Sequence, residues 1–198
     1  MQLVDPATFT VLVVCTGNIC RSALAERLGR AYLEERLGDK ADAVRLVSAG
    51  TRAVVGAAMH PDSAQVIRGF GAEAGDFVAR KLTPDIAGQA DLILAMTVSH
   101  RDRVVQLAPR ALARAFTLRE ASDILSLLEE LEPDGDSFRQ RATSLVAAMA
   151  ENRSRRSAGD ADVPDPVGRP IEAHEEVGNL IAAALLPLLQ RLAELADD

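Results

Sequence analysis

One stretch near the N-terminus constrains this chain more than any other: Val11-Leu-Val-Val-Cys15-Thr16-Gly17-Asn18-Ile19-Cys20-Arg21-Ser22. An apolar run reaches a short polar loop, and the loop opens into an amphipathic pattern carrying Leu24, Leu28 and Leu33. Strand, loop and helix in that order put a cysteine at the end of a strand and an arginine where a helix begins. The turns of such a loop aim successive backbone N–H groups inward as an anion nest, and the helix N-terminus adds partial positive charge. A site of this kind favours a thiolate over a thiol and holds a phosphoryl group for it to attack, with the guanidinium gripping two oxygens. Cys15 is the expected nucleophile and Arg21 its electrostatic partner. Thr16, Gly17, Asn18, Ile19, Cys20 and Ser22 complete the anion-binding loop, Gly17 and Asn18 suiting its unusual backbone angles.

The rest of the chain alternates strands with helices. Phe9 to Val14 reads as the first strand and Ser22 to Leu37 as the first helix, stopped at Gly38. Asp42 to Val47 is a second strand, His60-Pro61 opens a helix that Gly69 and Gly71 end, and Phe77 to Lys81 is irregular. A helical turn at Pro84 to Gly88 leads to a buried strand, Asp91 to Met96, and a helix from Thr97 to Leu107 to a fourth strand, Ala115 to Leu118. Thr117-x-x-Glu120 is the pattern of a capping box, heading a helix with Ile124, Leu125, Leu128 and Leu131 on one face. Four such alternations predict an α/β fold of three layers, a four-stranded parallel sheet with helices on both faces. The phosphate loop then follows strand 1, at the carboxyl edge where such sheets bind ligands. The last helix, from Ile171, turns Val177, Leu180, Ile181, Leu185 and Leu188 inward, with Pro187 set to kink or break it.

A chain of 198 residues, 48% of them hydrophobic, buries one sizeable core, so a single domain over 1–198 is expected. Residues 132–163 change character. Glu-Pro-Asp-Gly-Asp breaks the preceding helix, Phe138, Ala142, Leu145, Val146 and Met149 keep helical spacing, and a polar run follows. This block reads as an insertion of one helix and a mobile loop, with Arg153, Arg155 and Arg156 as a solvated patch. A net charge of -7 argues against nucleic-acid partners. No apolar run approaches the roughly eighteen residues of a membrane span, and the N-terminus lacks the basic start of a signal peptide. A soluble, cytoplasmic protein without a membrane partner is expected. The two cysteines lack the spacing and companion histidines of a zinc site, so no metal and no cofactor are expected.

Cys15-Thr-Gly-Asn-Ile-Cys-Arg-Ser22 resembles the phosphate-binding loop of the low-molecular-weight protein tyrosine phosphatases, and two further segments extend the resemblance. Ser48-Ala-Gly-Thr51 matches a family segment beside the loop, whose serine orients the loop asparagine; carried over, Ser48 holds Asn18. Asp165-Pro166, bracketed by Pro164 and placed before the last helix, matches the family dipeptide whose aspartate protonates the leaving oxygen. The resemblance implies metal-independent hydrolysis of phosphomonoesters through a cysteinyl-phosphate intermediate, with Cys15, Arg21 and Asp165 catalytic and a phosphotyrosine protein or a small phosphomonoester as substrate. Asp162 and Asp160 are the nearest substitutes for the acid. Family members that accept phosphotyrosine wall the pocket with aromatics where this chain has Val54, Val167 and Gly168, which weakens selection for tyrosine.

Several residues keep two readings. Cys20, a second cysteine that the family often shows in the same place, either forms a protective disulfide with Cys15, which their shared loop makes geometrically conceivable, or packs the loop as a small buried side chain. His60 reads as structural, since a thiolate supported by amides and arginine needs no histidine base. The alternative is a non-catalytic phosphate-binding or redox-sensing module, which would keep the loop while dispensing with the acid. An arsenate reductase of the redox-relay type is disfavoured because no cysteine follows Cys20.

Overall fold

A computed structural model describes residues 7–156 and 159–197. Its centre is a four-stranded parallel sheet of order β2-β1-β3-β4, built from β1 (Phe9–Cys15), β2 (Val44–Gly50), β3 (Leu92–Ala95) and β4 (Ala115–Thr117). Strand β1 lies between two neighbours and is buried along its whole length, which is why it is apolar without alternation. Its side chains still divide by parity. Phe9, Val11, Val13 and Cys15 face the larger core, and Leu12 and Val14 the smaller one on the opposite face.

The larger core is roofed by α1 (Arg21–Leu37), α2 (Pro61–Gly69), α5 (Leu118–Ser126), α6 (Phe138–Glu151) and α7 (Ile171–Asp197). The smaller core is closed by α3 (Pro84–Gln89) and α4 (Val98–Leu107). Helices on both faces of a parallel sheet are the three layers expected. The capping box is present as well: the Thr117 hydroxyl accepts from the Glu120 amide at 3.1 Å, and the Glu120 carboxylate accepts from the Thr117 amide at 3.0 Å. Helix α6 begins at its Ser137 cap and sends Ala142, Leu145, Val146 and Met149 into the same core as α1 and α7.

Four readings are corrected. Strand β2 does not stop at Val47 but continues through Ser48-Ala49-Gly50, because these residues pair with Val13, Val14 and Cys15. Helix α7 runs unbroken past Pro187, whose side chain is exposed on the outer face, where one backbone bond is lost without a clash in the core. Leu180 is 38% exposed, since the buried stripe of α7 follows Val177, Ile181, Leu185 and Leu188, and residue 180 falls at its edge. By length and composition α7 is also apolar enough to cross a membrane, and half of its apolar window is buried against the other helices, as a core helix requires. Of the three arginines in 153–156, Arg155 is exposed as expected, while Arg153 and Arg156 are less solvated than their run suggests. Arg153 lies 4.3 Å over the Phe116 ring and pairs with Glu120, and Arg156 pairs with Asp123.

Candidate active site

The loop from Cys15 to Ser22 is shaped from outside. Its carbonyls are taken by the segment after β2: Thr51 N donates to Cys15 O, Arg52 N to Thr16 O and Val54 N to Gly17 O, at 2.9 to 3.0 Å. His60 N takes Ile19 O and Leu24 N takes Cys20 O, both at 2.8 Å. In a trans peptide C=O and the following N–H point opposite ways, so carbonyls bound outward turn the next amides inward. One of these, Asn18 N, donates to Cys15 Sγ at 3.3 Å. Asn18 has φ 57°, the one described non-glycine residue in the left-handed region, and the close turn of the loop depends on it.

Side chains buried under the loop give it a fixed polarity. Asn18 is fully buried; its amide nitrogen donates to Ser48 Oγ at 2.7 Å and to Ser22 Oγ at 2.9 Å, and its Oδ1 accepts from Arg80 N at 2.8 Å. Ser48 passes its own hydrogen to Glu26 Oε2 at 2.6 Å, and Glu26 is paired with Arg30 at 3.0 Å. Ser22, already accepting from Asn18, has its hydrogen free for Cys15 Sγ, 2.9 Å away. A chain of donors thus runs from Asn18 through Ser22 to the sulfur, an arrangement that supports a thiolate. Ser48 is thus brought into contact with the Asn18 side chain under the loop.

Arg21 is 4% exposed and lies between two partners on the returning chain. Nη1 donates to Val163 O at 2.9 Å, and Nη2 pairs with Asp165 Oδ2 at 2.8 Å. That chain is pinned to the end of β3, where Val163 N donates to Met96 O at 2.7 Å and the Asp162 carboxylate accepts from Val98 N at 2.8 Å. Asp165 is brought to the loop with half of its side chain in solvent, its Oδ1 accepting from Val167 N at 3.3 Å. Neither substitute is free for that position: Asp162 caps α4, and Asp160 pairs with Arg119 at 3.1 Å. Val54 and Val167 are exposed apolar residues, Val54 close beside Gly17.

Three supporting residues escaped the reading of the sequence. Arg80 donates its amide to Asn18 and its Nε to Ser48 O at 2.6 Å. Glu26 looks like a surface position of an ordinary helix, yet it terminates the Ser48 chain. His100 bridges Thr16 Oγ1 at 2.8 Å and Thr97 Oγ1 at 2.9 Å. Burial, with a smaller push from Arg21, drives the His100 pKa down to about 4. No local pattern marks any of them.

Cys20 is buried beside this network, with Ser63 as the hydrogen-bond partner of its thiol. Burial drives its thiol pKa up to about 11, and both cysteines are free. The companion histidines missing from its sequence neighbourhood are supplied by folding: His60 at the start of α2 and His174 in the first turn of α7 gather at its sulfur.

The model of the family described as low molecular weight phosphotyrosine protein phosphatase matches residues 10–126. The chain is 40% identical over 100 residues to the probable low molecular weight protein-tyrosine-phosphatase AmsI of Erwinia amylovora, covering 50% of this chain and 64% of that protein. It is 30% identical over 188 residues to the low molecular weight protein-tyrosine-phosphatase of Streptomyces coelicolor, covering 94% of this chain and 95% of the relative. Among solved structures, the YwlE arginine phosphatase from Geobacillus stearothermophilus superposes with a TM-score of 0.68 at 25% identity, over 94% of each chain. With fold, loop and matched segment in agreement, the chain belongs to the low molecular weight phosphotyrosine protein phosphatase family.

Proposed function

We propose that this chain hydrolyses phosphomonoesters through a cysteinyl-phosphate intermediate, with Cys15, Arg21 and Asp165 as its catalytic residues. The observation that carries the reading is the convergence on one loop of a sulfur held by a hydroxyl and an amide, a buried guanidinium, and a carboxyl group on that guanidinium. In the first step the Cys15 thiolate attacks phosphorus, the P–O bond to the leaving group breaks, and Asp165 gives its proton to the departing oxygen. Loop amides and Arg21 offset the charge on the equatorial oxygens. In the second, Asp165 takes a proton from water, whose oxygen attacks the phosphorus; the P–S bond breaks, returning the thiolate and releasing inorganic phosphate. Ser22, donating to the sulfur, makes it a better leaving group in that step.

Phosphotyrosine on a protein is the first choice of substrate, supported by relatives named as protein-tyrosine phosphatases. The valine rim supports a broader range, and the similarity to an arginine phosphatase makes phosphoarginine the informative competitor. Steady turnover of p-nitrophenyl phosphate and of a phosphotyrosine peptide, abolished by Cys15→Ser, is the expected result. Stoichiometric phosphate binding without turnover would make the chain a binding module. Faster release of phosphate from a phosphoarginine peptide than from the phosphotyrosine peptide would reassign the substrate and leave the chemistry standing.

A further inference from the structure

A second constellation stands against the flank of the same loop. Cys20, His60 and His174 each offer a ligand atom, and the three atoms lie within 4.8 Å of one another. They come from three separate elements, the loop, the start of α2 and the first turn of α7, so only the fold assembles them. The two imidazoles stack with centroids 4.9 Å apart and 20° between planes. Asp62 Oδ2 lies 3.8 Å from His60 Nδ1 and 3.8 Å from His174 Nε2.

The two ring nitrogens are the unusual part. His60 Nδ1 and His174 Nε2 are both buried and meet no partner within strict hydrogen-bond geometry, the Pro166 carbonyl lying near His174, and the His174 side chain has no exposed surface at all. Buried polar atoms are normally satisfied, so an unpartnered imidazole nitrogen facing a carboxylate and a thiol calls for a reason. The other nitrogen of His174, Nδ1, lies 2.9 Å from Ser63 Oγ. Donation from Nδ1–H to that hydroxyl leaves the Nε2 lone pair facing the cluster, as outer hydrogen bonds do for metal-ligating histidines.

We propose that Cys20, His60 and His174 form a binding site for a borderline divalent transition-metal ion, zinc above all, with water in the fourth position. One thiolate and two imidazoles suit such an ion, and donors on one tetrahedral zinc stand about 3.3 to 3.7 Å apart. His60, 28% exposed, has room to rotate toward the sulfur, and the Asp62 carboxylate lies 3.8 Å from a nitrogen of each ring. Binding expels the Cys20 proton and ties the loop to α2 and α7. The proposal does not rest on the phosphatase reading: Cys20 belongs to the phosphate-binding loop, but its thiol takes no part in the reaction steps, and neither does either histidine.

The test uses the full chain, reduced and stripped of metal, titrated with Zn2+ against a chromogenic chelator and separately with Co2+. One Zn2+ per chain and a cobalt–thiolate charge-transfer band are expected. Both should persist in Cys15→Ser, whose nucleophile is gone, and disappear in Cys20→Ser. His60→Ala, at a partly exposed position, tests the site without relying on a core substitution and should weaken zinc by about tenfold or more. A band lost in Cys15→Ser and kept in Cys20→Ser would put the metal on the nucleophile and overturn the proposal. So would the absence of stoichiometric binding at micromolar Zn2+, or equal affinity in wild type and His60→Ala.

Discussion

The Arg21 guanidinium and the Asp165 carboxylate are bound to each other, Nη2 to Oδ2 at 2.8 Å, so the group proposed to grip phosphate is held by the group proposed to protonate the leaving oxygen. A phosphoryl dianion entering the loop competes with Asp165 for Arg21, so the ion pair has to open before the guanidinium can grip two phosphoryl oxygens. Asp165→Asn should therefore bind inorganic phosphate more tightly at neutral pH, by about fivefold, a modest gain because the carboxylate is half exposed. Its kcat should fall by about a hundredfold or more with the loss of the proton donor. Inhibition constants for phosphate and kcat of both proteins decide it; unchanged phosphate affinity would mean that the ion pair does not oppose binding.

Ser48 is the hinge of the buried network, accepting from Asn18 and donating to Glu26. Ser48→Ala removes one hydroxyl and leaves two buried polar groups short of a partner, which costs about 1–3 kcal/mol. The same change frees Asn18, whose backbone sets the turn of the loop, so kcat should drop by about tenfold with KM less affected. Urea denaturation and steady-state kinetics on p-nitrophenyl phosphate measure both. Loss of stability with full kcat would confine Ser48 to a structural role.

The parts of the site legible in the sequence are those that local order carries. Cys15 and Arg21 belong to one strand, loop and helix, and the period of two along β1 already decides which core Cys15 faces. Ser48 and Asp165 could be proposed only through resemblance, because nothing in their own neighbourhoods distinguishes them from a strand end and a turn. Arg80, Glu26 and His100 were silent for a physical reason: their partners in the loop and β2 lie at sequence distances from 22 to 84, and an amphipathic pattern says only that a position is turned inward or outward. The same limit bears on the reading that the cysteines lack companion histidines. Spacing rules describe ligands held by one hairpin or helix, whereas Cys20, His60 and His174 meet only after α2 and α7 have packed. Charge runs mislead in the opposite direction: Arg153 reads as solvent-facing, yet its long side chain lies across Phe116.

His100 should give the protein a specific acid sensitivity. Its folded pKa, about 4, lies below the roughly 6.5 of an unfolded histidine. Above that unfolded value both states are neutral and the group adds no pH dependence. Between 6.5 and 4 the unfolded chain takes up a proton that the folded chain refuses, so stability falls with pH, by up to about 3 kcal/mol in all. His100→Gln cannot titrate. Its stability deficit against wild type, measured by urea denaturation, should be largest at pH 7 and shrink steadily toward pH 4.5. Parallel stability curves would show that His100 does not titrate between the two states.

Two glycine-to-alanine changes should have opposite signs. Gly29 stands in α1 where that helix crosses β2 and α7, and a Cβ there would lie 2.2 Å from Leu46 Cδ2 and 2.8 Å from Leu189 Cδ1. Both neighbours are buried to within 1% of their surface, so neither can swing out. Alanine gains about 1 kcal/mol of helix propensity, but forcing a methyl into a filled seam costs about 1–3 kcal/mol, and the seam should win. Gly69, the last residue of α2, meets nothing within 4 Å, so Gly69→Ala keeps the propensity gain, reduced at a helix end, with no steric cost. For a chain of this size each kcal/mol moves Tm by about 2–4 °C. Thermal melts should place Gly29→Ala below wild type and Gly69→Ala level with or above it. Equal or reversed shifts would mean that α1 and α7 can separate to admit the methyl, and with it that the helix bearing Arg21 and Ser22 is less firmly seated than its packing indicates.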